Sequence, residues 1–96
     1  MSSFTRDGKY QDRTKFLAAL RAKLEGLRDG ALRGTTLTWE EGPEVRATLA
    51  GYGARVVFAV AEGGWTCAAE LPSFLPVPKG MLEEKFDREF EDLKGL

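Results

Sequence analysis

The sequence contains no histidine. It therefore lacks the usual general base near neutral pH and the commonest metal ligand. It has a single cysteine, Cys67, so no disulfide can close within the chain, which fits a reducing compartment. The neighbours expected around that thiol are apolar, and burial raises a thiol pKa, so Cys67 reads as a core residue rather than a nucleophile. No apolar run approaches the roughly 18 residues of a membrane-spanning helix, and the opening MSSFTRDGKYQDR lacks the apolar centre of a signal peptide. Together these absences predict a cytoplasmic protein without a transmembrane segment.

Phosphate-cradling glycine loops are missing too, because Gly51-Tyr52-Gly53 and Gly63-Gly64 precede strand-like rather than helix-like stretches. Glu83, Glu84 and Asp87 form a carboxylate cluster with no second oxygen-rich loop, so they read as a solvated helix face and not as a metal site. No catalytic residues, cofactor or metal are expected, and the chain reads as no enzyme. The formal net charge is only −1, but it is unevenly placed. Residues 1–33 carry +4 and residues 34–96 carry −5, which predicts two elements of opposite sign lying side by side. Nucleic acid is excluded as a partner, since phosphate neutralisation dominates such binding and the balance here is slightly acidic.

What is present is a pattern. With 96 residues the chain makes a single domain and buries roughly 60–70% of its unfolded surface, enough for a core without staples. Residues 1–11 are polar with isolated aromatics at Phe4 and Tyr10. They read as a flexible or loosely attached N-terminal arm, with a short strand as the alternative. Residues 12–96 read as one α-β4-α domain. Asp12 or Thr14 can cap a helix in which Phe16, Leu17, Leu20, Leu24 and Leu27 recur at helical spacing up to Gly30. From residue 34 the period becomes two, and four strands separated by short glycine-containing turns follow in sequential hairpins. The prolines at 72, 76 and 78 hold helix off until Gly80. Beyond it Leu82, Phe86, Phe90 and Leu93 lie on one stripe.

The expected fold is α+β and two-layered: an N-terminal helix, a four-stranded antiparallel meander, and a C-terminal helix packed on the sheet. The helices should cover the face carrying Leu37, Trp39, Val45, Leu49, Val56, Phe58, Val60, Trp65 and Leu71. Three groups of residues then become candidates. The mild opposite face, centred on Thr48, Val57 and Ala59, suits self-association, because small side chains let a second sheet approach. Trp39, Phe58 and Trp65 read as core or as the lining of a ligand pocket. Phe74, Leu75 and Val77, set among prolines, are either tucked under the last helix or presented to a partner protein or apolar surface.

The amphipathic first helix, Leu37-Thr38-Trp39-Glu40, Gly51, and above all Leu71…Leu75-Pro76…Pro78-Lys79-Gly80-Met81-Leu82-Glu83 carry a family resemblance over residues 14–94. The chain resembles the polyhydroxyalkanoic acid system protein family, small bacterial proteins linked to storage-polyester granules. Its ending, a strand leading into a long helix that grips the sheet, is similar to the START-like lipid-binding superfamily, from which it departs in having too few strands for a deep cavity. The resemblance implies a non-enzymatic accessory protein on polyhydroxyalkanoate granules or another apolar surface, with Phe74, Leu75 and Val77 in contact. The alternatives are a homo-oligomeric structural or adaptor domain and a carrier of a small hydrophobic ligand.

Overall fold

In the computed structural model the chain runs strand, helix, four strands, helix. The structure describes residues 2–30, 33–51, 53–71, 79–93 and 96, with the backbone alone for residues 2, 71, 79, 82 and 92.

The first helix, α1, spans Arg13–Asp29. Asp12 caps it: its side chain accepts from the Lys15 amide at 3.1 Å, satisfying one of the amides that a helix start leaves unpaired. Phe16, Leu20 and Leu24, four residues apart, are buried on one stripe. The strands are β1 (Ser2–Gly8), β2 (Thr36–Glu40), β3 (Val45–Gly51), β4 (Ala54–Ala61) and β5 (Gly64–Leu71). The β4–β5 connection has only two residues, and Gly63 takes a left-handed φ of 84° there, a conformation that costs glycine little.

The five strands form one antiparallel sheet in the order β1-β5-β4-β3-β2. Two expectations change here. The sheet has five strands rather than four, and the chain opens with a strand rather than a helix. Residues 2–8 of the expected arm form β1, in register with β5 from Ser2 opposite Leu71 to Gly8 opposite Trp65. Phe4 is buried, its ring 5.3 Å from Phe86 in an edge-to-face pair. That contact and a full ladder along β5 hold β1 in place, and β1 in turn removes β5 from the sheet edge.

The second helix, α2, spans Lys79–Glu89 and gives way to a single 3₁₀ turn at Glu91–Leu93. The expected helical stripe is thus divided between two elements. The Phe90 amide bonds back to the Phe86 carbonyl at 3.0 Å, four residues away, whereas the Leu93 amide reaches only to Phe90, at 3.2 Å. This tightening keeps both Phe90 and Leu93 buried.

Both helices lie on one face of the sheet, α1 toward β2 and α2 over β1. The covered face carries Val45, Ala47, Leu49, Phe58, Val60, Cys67 and Ala69, all buried, as the alternation predicts; the side chain of Leu71 lies outside the description. Phe58 is the centre of an aromatic cluster, with Trp65, Phe86 and Phe90 at 6.0, 6.1 and 5.1 Å between centroids. The opposite charges meet as well. Arg6 of β1 bridges Glu83 and Asp87 of α2, and Lys23 of α1 approaches Glu89 at 3.7 Å. Leu96 is tied to the start of α1, since its carbonyl accepts from the amides of Gln11 at 2.8 Å and Asp12 at 2.7 Å. Among the described residues no helix is long and apolar enough to cross a membrane.

Candidate functional site

A groove of about 450 Å³ opens where α2 crosses the ends of β1 and β5. Trp65, Phe86, Phe90 and Leu93 supply its apolar surface, and Arg6 and Lys9 lie on its rim. The strand register explains why these side chains meet. Phe4, Arg6 and Gly8 alternate onto the covered face of β1, and Gly8 stands opposite Trp65. A Cβ at position 8 would lie 2.8 Å from Trp65 Nε1, so glycine there is what lets the indole lie across the strand.

Arg6 fixes the wall of the groove. Its Nε donates to Asp87 Oδ1 at 2.8 Å and its Nη2 to Glu83 Oε1 at 3.0 Å, while Nη1 donates to the Thr5 carbonyl at 2.9 Å. The hydrogen bond to Asp87 is the main reason its guanidinium is held still more firmly in the charged form than usual, the contribution of Glu83 adding to it against a cost of desolvation. Its positive charge is already matched by two carboxylates, so the groove offers little net attraction to a free anion. Its lining thus combines an apolar floor with a charged rim.

Cys67 lies next to Arg6 in the register, on the neighbouring strand. Burial pushes its thiol from the ordinary 9.0 up to about 12, and the charge of Arg6 only partly opposes this. Such a thiol stays protonated at neutral pH, the weakly nucleophilic form.

The aromatic trio expected as core or pocket lining is divided. Phe58 is fully buried, and Trp65 is half-buried against the groove. Trp39 is two strands from Phe58, with Ala47 between them in the register, and the Arg21 guanidinium sits 5.3 Å above its ring. Thr48, Val57 and Ala59 sit together on the uncovered face, Thr48 directly opposite Val57, all three half-buried. Phe74, Leu75 and Val77 fall outside the described residues. Just beyond them Met81, in the first turn of α2, is 53% exposed.

Arg6, Gly8 and Lys9 escaped the sequence reading, because one apolar residue in seven is a weak strand signal for β1. The available clue was the alternation of Phe4, Arg6 and Gly8 with Ser3, Thr5 and Asp7. Among the described residues no group of three or more acidic or cysteine side chains is arranged to hold a metal ion. No family model, curated protein or solved structure matches this chain.

Proposed function

We propose that the protein is a non-catalytic accessory module that attaches to an apolar surface through the N-terminal end of α2 and the segment that feeds it. The polyester granule is the surface that the family resemblance implies. The observation that carries this reading is Met81, the exposed large apolar side chain among the described residues, at 53%. A lone exposed methionine is ordinary on a protein surface. This one lies four residues after Val77 in the sequence, downstream of the apolar residues Phe74, Leu75 and Val77, and apolar residues that gather on a surface are the usual mark of an interaction site. Methionine also suits an irregular, featureless surface, because its flexible thioether adapts to whatever it meets.

Cosedimentation with amorphous polyester granules tests the reading. Wild type should pellet with the granules, and Met81→Asp combined with Phe74→Asp should leave the protein in the supernatant with an unchanged circular dichroism spectrum. Equal pelleting of the two proteins would defeat the proposal.

The groove beside Trp65 favours a second reading, a carrier of a small, mostly apolar ligand with one polar end. Native mass spectrometry of gently isolated protein should then show a bound mass that is lost in Trp65→Ala. A bare chain mass in every preparation would remove the carrier.

A further inference from the structure

The chain has three sulfur atoms, in Met1, Cys67 and Met81. Met1 falls outside the described residues, and the other two stand in opposite surroundings. Cys67 is 2% exposed, on the covered face of β5 opposite Phe58. Burial keeps its thiol protonated, the form that oxidants attack slowly. Met81 is 53% exposed in the first turn of α2. The start of that helix stands clear of the fold: beyond its chain neighbours and the helix backbone, a Cβ on Gly80 would meet nothing within 4 Å. A thioether also needs no deprotonation before it reacts. A small neutral oxidant therefore meets the Met81 sulfur at neutral pH with the fold unopened.

We propose that Met81 is an oxidation site, and that its conversion to the sulfoxide by hydrogen peroxide or an organic hydroperoxide releases the protein from the apolar surface. This inference rests on the apolar-surface reading and adds its regulation. A sulfur lone pair attacks the near oxygen of the peroxide and the O–O bond breaks. That oxygen stays on sulfur, and the other leaves as water, or as an alcohol from an organic hydroperoxide. Sulfur is oxidised by two electrons and the peroxide is reduced by two. The product is polar, and its new oxygen loses hydrogen bonds to water whenever it is pressed against an apolar surface. Met81 takes no place in the core cluster among the described residues, so the change acts on attachment and leaves the fold alone. The same exposure lets a sulfoxide reductase reach the side chain, a thiol reductant returning the two electrons and the oxygen leaving as water.

The test treats wild type with hydrogen peroxide, locates added oxygen by peptide mass mapping, and follows attachment by cosedimentation with amorphous polyester granules. Mapping should find one oxygen on Met81 and none on Cys67, with an unchanged circular dichroism spectrum. Half-saturation should then require about tenfold more granule, the order expected when the apolar contact of one methionine is lost. Methionine sulfoxide reductase should reverse the shift. Met81→Leu cannot take up oxygen at this position, so its own pelleting curve, wherever it lies, should be the same before and after peroxide; this separates Met81 from Met1. Wild type that carries the Met81 sulfoxide and still pellets as before overturns the inference and leaves the attachment reading standing. A peroxide shift in Met81→Leu as large as in wild type overturns it too, by placing the effect elsewhere. Untreated wild type that fails to pellet removes the attachment reading and this inference with it.

Discussion

At Cys67 two opposing influences meet within one strand spacing. Burial against Phe58 and Ala69 raises the thiol pKa, and the neighbouring Arg6 charge lowers it; burial wins, leaving the value at about 12. Stability acquires a pH dependence from this. Below pH 9 the thiol is protonated in both the folded and the unfolded chain and contributes no slope. Between pH 9 and about 12 the unfolded thiol ionises while the buried one does not. Rising pH therefore favours unfolding, by up to about 1.4 kcal/mol per pH unit. Cys67→Ala should remove this part of the decline, which urea melts of both proteins on either side of pH 9 will show. An identical pH slope in the two proteins would mean that the thiol is solvated in the folded chain. The core position of Cys67 was legible from its alternation with Thr66 and Ala68 in an apolar strand, and the cap of α1 was narrowed to Asp12 or Thr14, of which the structure uses Asp12. The partner of Arg6 was not legible, because 77 residues separate it from Glu83 and only the completed sheet brings them together.

Elements with strong periodicity were the ones that could be read. The stripe Phe16, Leu20, Leu24 specifies α1, and the β-branched run of β4 with its glycine turn specifies the central hairpin. β1 offers one apolar side chain, Phe4, and an inward-pointing Arg6, so its period-two pattern is broken where the strand is anchored. That same Arg6 attaches α2 to the sheet edge. Arg6→Ala should loosen the helix, costing about 0.5–1 kcal/mol given the partial exposure of the pair, and amide exchange in residues 80–89 should speed up while that in α1 does not. Arg6→Lys should recover little of the loss, because a single ammonium cannot reproduce the forked contact to Asp87 and Glu83. Uniform acceleration across both helices would show that Arg6 supports the whole fold rather than this attachment. The end of α2 was misread for a different reason: the stripe continues to Leu93, and periodicity alone does not reveal that a 3₁₀ turn delivers the last apolar residue.

For the whole molecule, the division of charge was informative in the sequence, and the structure places the basic N-terminal portion against acidic α2 at Arg6–Asp87 and Lys23–Glu89. The strand order was not accessible in the same way. Hairpins between neighbouring strands announce themselves in their turns, but nothing local indicates that the first strand pairs with the last. That pairing has a consequence for the order of events during synthesis. β1 and α1 leave the ribosome first, yet the ladder that holds β1 is β5, whose final residue is Leu71. The earliest segment must wait, with Phe4 and the apolar stripe of α1 uncovered, until some sixty further residues have been made. Chains stalled short of Leu71 should be cut within residues 2–8 by a dilute protease, and chains stalled well beyond it should resist. Protection appearing before β5 has emerged would show that β1 first finds another partner. The sheet of this small domain therefore closes only when its last strand is available to receive the first.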